Sequence, residues 1–160
     1  MKTNLSWMAG IALLLAGCTP AEHLQHAEGL EVTAAWSRAV PAQAPVAAGY
    51  MTIRNHGQAD DRLLAVRSDA AGRVEIHEVR HEDGIARMRE LEGGLLLPVG
   101  EAIEFEPGGY HLMFMAPDEG FTAGHHVAAT LVFEKAGERA VEFEVRSAAA
   151  DPGHGEHAHH

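Results

Sequence analysis

Val141-Glu142-Phe143-Glu144-Val145-Arg146 alternates apolar and charged residues one by one. In a β-strand successive side chains point to opposite faces, so this stretch buries Val141, Phe143 and Val145 and turns its charges to water. Ala102-Ile103-Glu104-Phe105-Glu106 repeats the pattern. Seven further stretches carry strand-forming residues: Glu31–Ser37, Ala48–Asn55, Arg62–Ser68, Arg73–His81, Ile85–Leu91, Tyr110–Met115 and His126–Glu134. Turn residues separate them at Asn55-His56-Gly57, Asp83-Gly84, Gly93-Gly94, Pro107-Gly108-Gly109 and Ala136-Gly137. No stretch between them carries a helical stripe of about ten residues or more. The expectation is an all-β domain, an antiparallel β-sandwich or barrel of about nine short strands.

The segments flanking this domain have a different character. Lys2 precedes the short apolar run Met8–Ala16, which ends in Leu15-Ala16-Gly17-Cys18. The run is too short for a transmembrane helix, which needs about 20 apolar residues. It looks like a bacterial lipobox, with residues 1–17 as a lipoprotein signal peptide and Cys18 as the lipidated residue. Thr19 follows the cysteine. By similarity to Gram-negative lipoproteins, that residue directs the protein to the outer membrane, facing the periplasm. Residues 18–29 read as a tether, 30–147 as the folded domain and 148–160 as a flexible His-rich tail without a core-forming pattern.

Composition excludes several function classes. The chain has 160 residues with one Cys, twelve His and six Met. A lone Cys excludes a disulfide framework and Cys-rich zinc or iron–sulfur sites. Without the signal segment about 11 basic residues face 23 acidic ones, a net charge of about −12. So acidic a chain is a poor partner for nucleic acid.

His and Met come together in two places. Asp83-Gly84 favours a two-residue hairpin turn between Arg73–His81 and Ile85–Leu91. With that loop Val79 faces Met88, and His77 lies two residues along on the same face. A Glu82-Asp83 loop would instead place His77 directly opposite Met88. A three-residue loop would separate them onto opposite faces. In Tyr110-His111-Leu112-Met113-Phe114-Met115, His111 and Met113 share a face about 7 Å apart, and Leu112 and Phe114 point the other way. His56 and His81 sit at turns and read as solvated, and His125-His126 opens a strand.

Two imidazoles and two thioethers make a particular donor set. Thioether sulfur is soft and selects Cu(I), and imidazole also accepts copper. Zinc sites usually take Cys, His or carboxylate. The facial-triad type of iron site needs a carboxylate, and a blue-copper site needs a thiolate that a lipidated Cys18 cannot supply. Neutral thioether and imidazole donors also suit an oxidising compartment.

The spacing resembles a known family. His77, ten residues, Met88, twenty-two residues and then His111-x-Met113 is similar to the signature of the PCu(A)C family of periplasmic copper chaperones. The likeness extends to Ala35-Trp36-Ser37-Arg38, Pro45–Tyr50, Asp61-Arg62-Leu63, Gly72–Glu78, Gly93-Gly94, Pro107–Met113 and Phe133–Gly137, and so to the whole domain. Two features depart from the pattern. Glu78 stands where many members carry Met, and the Met88–His111 gap is one residue longer. The resemblance implies a cupredoxin-like fold with one Cu(I) on His77, Met88, His111 and Met113. It also implies delivery of copper to the binuclear copper site of cytochrome c oxidase, with an apo oxidase subunit or a Sco-type protein as partner.

The tail, His154-Gly155-Glu156-His157-Ala158-His159-His160, is a candidate accessory metal site, for Cu(II), or a concentrator that feeds the structured site. His154, His157, His159 and His160 are its ligands. The expected mechanism is ligand exchange, without a catalytic residue. A periplasmic copper-sequestering or resistance protein with no dedicated acceptor is the alternative, and a purely structural lipoprotein domain is a third.

Overall fold

The computed structural model describes residues 29–118 and 120–147. Cys18, the tether and the tail histidines lie outside them. Ten strands follow one another: β1 Leu30–Arg38, β2 Val46–Asn55, β3 Asp61–Arg67, β4 Ala71–Glu82, β5 Ile85–Glu90, β6 Leu95–Leu97, β7 Ala102–Phe105, β8 Tyr110–Pro117, β9 His126–Phe133 and β10 Gly137–Arg146. All nine expected strands are present. The tenth, β6, has three residues in an unbroken Leu run, too short to show alternation.

The strands are hydrogen-bonded in the order β5-β4-β8-β7-β2-β1-β10-β9-β3-β6. A further pairing, Val66 with Val74, joins β3 to β4 and closes the eight inner strands into a barrel, with β5 and β6 as outlying flaps. The sheet is mixed rather than wholly antiparallel, because β1 runs parallel to β10 and β7 parallel to β8. Sequence alternation fixes which face a residue takes but not the direction of its neighbour strand, so these two pairings were not foreseeable. A one-residue bulge between Thr33 and Trp36 re-aims β1, and Ala34 takes a positive φ of 51° there.

Inward-facing positions fill the barrel. Ile53, Leu63, Leu112, Phe114, Leu131 and Phe143 are fully buried, and Phe121 from a connecting loop joins them. Phe114 is the centre of the aromatic packing, with ring centroids 5.0 Å from Phe121 and 5.6 Å from Phe143. On β10, Phe143 and Val145 are buried while Glu142 and Glu144 are exposed, as the alternation requires.

Asp61 ties the start of β3 to the β9–β10 turn. Its carboxylate accepts backbone N–H bonds from Arg62 at 2.7 Å and from Lys135 and Ala136 at 2.9 Å. Burial opposes its charge, but the three backbone donors outweigh burial and hold the carboxyl below its ordinary value of 3.8. A lowered acid pKa adds stability that is complete above the unfolded value and is lost as pH falls through the folded one. Asp61→Ala should therefore cost about 1–3 kcal/mol at neutral pH. In urea titrations the gap between wild type and variant should narrow below pH 3.8. A constant gap would mean that the carboxylate charge contributes nothing.

Candidate metal centre

β8 divides its side chains by alternation. Leu112 and Phe114 point into the core, and His111 and Met113 onto the outer barrel face. The neighbouring strand β4 pairs His77 with His111 and Glu75 with Met113. The two imidazoles are thus cross-strand neighbours, with ring centroids 5.6 Å apart.

The β4–β5 hairpin supplies the fourth residue. Its register pairs Glu82 with Ile85, Val79 with Met88 and His77 with Glu90. Asp83 and Gly84 form the loop with φ of 51° and 77°, the two positive values that a type I′ turn demands. This is the first of the three loop readings that the sequence allowed. Met88 consequently lies diagonal to His77 on the same face. From there it crosses β4, and its Sδ lies 3.2 Å from His111 Nε2.

That contact brings together two atoms that could both bind one metal ion. His111 Nδ1 lies 3.1 Å from the Gly109 carbonyl, which only accepts, so Nδ1 carries the proton. In the neutral ring Nε2 then presents a lone pair to Met88 sulfur, which has only lone pairs to offer. Metal–nitrogen and metal–sulfur bonds of about 2.0 and 2.3 Å place two tetrahedral ligands roughly 3.5 Å apart, close to the separation found here. Burial lowers the pKa of His111; the Gly109 bond opposes that shift and the nearby His77 adds to it. The net effect favours the neutral ring that a metal needs. A ligand imidazole whose other N–H is fixed by a carbonyl is a recurrent arrangement in metal sites.

His77 is held differently. Its Nε2 lies 2.8 Å from Glu75 Oε2, and its buried Nδ1 has no hydrogen-bond partner. Since an ionised carboxylate only accepts, the Glu75 bond places the proton on Nε2 and leaves Nδ1 as the lone-pair atom of the neutral ring. A buried lone pair without a hydrogen-bond partner, beside a second imidazole, is one that a cation could satisfy. Glu75 is held below its ordinary value by the His77 bond and then by Arg73.

Met88, His111 and Met113 line one open groove with Val79, Val46, Ala48 and Tyr50. His77 is not among the residues lining it; Glu75 and Glu90 bring their oxygens within 4.8 Å of each other and of a His77 nitrogen. Sequence reading missed these two carboxylates. Glu75 was visible in principle, two residues before His77 on the same strand face. Glu90 depends on the hairpin register.

Glu78 points to the face opposite His77, as its position on the strand requires, and pairs with Arg80 and Arg89. His56 is exposed and paired with Glu31. His81, His125 and His126 are exposed.

Comparison with known proteins agrees with this architecture. The model of the family described as "Putative lipoprotein LpqE-like" matches residues 30–145. A protein of Leifsonia xyli subsp. xyli named "Putative lipoprotein Lxx21020" is 31% identical over 79% of this chain and 78% of its own length. Among solved structures, the copper-bound PCuAC domain from PmoF2 matches with a TM-score of 0.61 and 26% identity, over 74% of this chain and 93% of that domain. The Cu(I) form of DR1885 from Deinococcus radiodurans matches with a TM-score of 0.59 and 25% identity, over 79% and 86%. The barrel is therefore a PCuAC-type fold, and the chain belongs to the LpqE-like family.

Proposed function

We propose that this protein is a lipid-anchored copper chaperone outside the cytoplasm, which binds one Cu(I) on His77, Met88, His111 and Met113 and passes it on by ligand exchange. The Met88–His111 contact carries the reading. A sulfur and an imidazole lone pair 3.2 Å apart, with a second imidazole beside them, suit a soft d10 cation better than any other occupant. The matched domain of PmoF2 is copper-bound and that of DR1885 holds Cu(I), which supports copper as the cargo. Cys18 in its lipobox and the lipoprotein relatives support the anchor.

Exposure of Met88, at 55%, suits a carrier that must release its ion. A partner ligand can approach that sulfur first and displace it, leaving copper on the remaining donors until transfer is complete. By resemblance the acceptor is the binuclear copper site of cytochrome c oxidase, directly or through a Sco-type protein. The test is anaerobic transfer from the Cu(I)-loaded chain to the apo copper domain of that oxidase. Copper should move to the acceptor within minutes, read as the copper content of each protein after the two are separated without air. Copper that stays on the chain while a chelator removes it freely would favour sequestration instead.

A further inference from the structure

Met88 sits on an edge strand of the fold. β5 ends the sheet order, and β4 is its one strand partner among the described residues. All six of its residues are exposed. An edge strand held by one ladder frays readily, and fraying here would carry the sulfur away from His111.

On the reverse face of the same hairpin lies Glu78, only 6% exposed. Its Oε1 receives Arg80 Nε at 2.8 Å. Its Oε2 receives both Nε and Nη2 of Arg89 at 2.9 Å. Glu78 and Arg89 are direct cross-strand partners, and Arg89 is the residue after Met88. One buried carboxylate thus bonds to a guanidinium of its own strand and to another of the edge strand. Hydrogen bonds of this kind, charged at both ends, are stronger than neutral ones and are geometrically restrictive.

We propose that Glu78 is the positioning residue of the copper site: with Arg89 it pins β5 from behind and so holds Met88 sulfur over His111. It touches no metal and acts through Met88. This rests on the copper reading above. It gives a physical role to the residue that departs from the resembled signature. The position that would otherwise carry a further soft side chain fixes the one sulfur of the hairpin in place.

The test uses the full chain and four variants: Glu78→Gln, Arg89→Gln, Met88→Leu, and Glu78→Gln combined with Met88→Leu. Cu(I) affinity and release rate are read by anaerobic chelator competition, and amide exchange of β5 is read in the copper-free protein. Glu78→Gln should weaken Cu(I) binding roughly ten-fold, mostly through faster release, as expected for losing part of a charge-assisted pair. Arg89→Gln, on an exposed side chain that leaves the barrel intact, should do the same. In the Met88→Leu background Glu78→Gln should change copper affinity little, because the sulfur it positions is gone. Amides of β5 should exchange faster while those of β9 and β10 keep their protection. A ten-fold loss that persists without Met88, or unchanged affinity in both single clamp variants, would overturn the proposal. Failure of the unaltered chain to bind Cu(I) would instead defeat the copper reading, and the exchange data would still report whether the clamp holds β5.

Discussion

Met88→Leu combined with Met113→Leu should abolish tight Cu(I) binding while the barrel stays folded. Outer-shell partners of metal ligands are worth about 10–100-fold in affinity, so removing two direct ligands should cost more than about 100-fold. Leucine nearly matches methionine in volume, and such exchanges cost less than about 1.5 kcal/mol even in cores. Met88 is largely exposed and Met113 only half-buried, so the structural cost is smaller still. What disappears is soft sulfur, leaving two imidazoles that bind Cu(I) less selectively. The measurement is anaerobic Cu(I) competition on the full chain, with a companion in which His154, His157, His159 and His160 are all Ala. One tight copper that survives loss of the tail histidines and vanishes with the two thioethers would fix the site on the barrel. Tight copper that ignores the methionines and leaves with the tail histidines would move the function to the tail.

The legible and illegible parts of this site divide along a physical line. Period-two alternation placed His111 and Met113 on one face of β8 with Leu112 and Phe114 behind them, and the structure places them so. Asp83-Gly84 announced its turn, because positive φ at both loop positions is cheap for that pair, and the register of β5 followed. What could not be read was contact between strands. No local pattern states that β8 lies beside β4, so the pairing of His77 with His111 came only with the barrel. The spacing resemblance supplied the grouping that local rules could not. The parallel β1–β10 and β7–β8 pairs escaped for the same reason, and β6 because three leucines before a proline show no period. The carboxylates around His77 were invisible in a different way. Glu75 and Glu90 look like ordinary solvated strand residues until the register sets them against the imidazole.

Phe114→Ala should be among the most destabilising single substitutions in the barrel, at about 3–5 kcal/mol by urea denaturation. The ring is fully buried between Phe121 and Phe143, and truncating it leaves a cavity that the closed barrel cannot collapse. It also removes one of the two inward anchors of β8, beside Leu112, on the strand that presents His111 and Met113 outward, so copper affinity should fall in the same variant. The demand for this ring reaches the next strand. At Gly49 of β2 an added Cβ would sit 2.6 Å from Phe114 Cε2, closer than real side chains tolerate. Gly49→Ala alone should therefore cost about 1–3 kcal/mol through overpacking. In a Phe114→Leu background the methyl occupies space that the ring has vacated, and the penalty should shrink or reverse. Such coupling is expected of side chains that share one volume. Equal penalties in the two backgrounds would show that Gly49 is required by its backbone rather than by the ring, and that the close approach of β2 to β8 does not depend on Phe114.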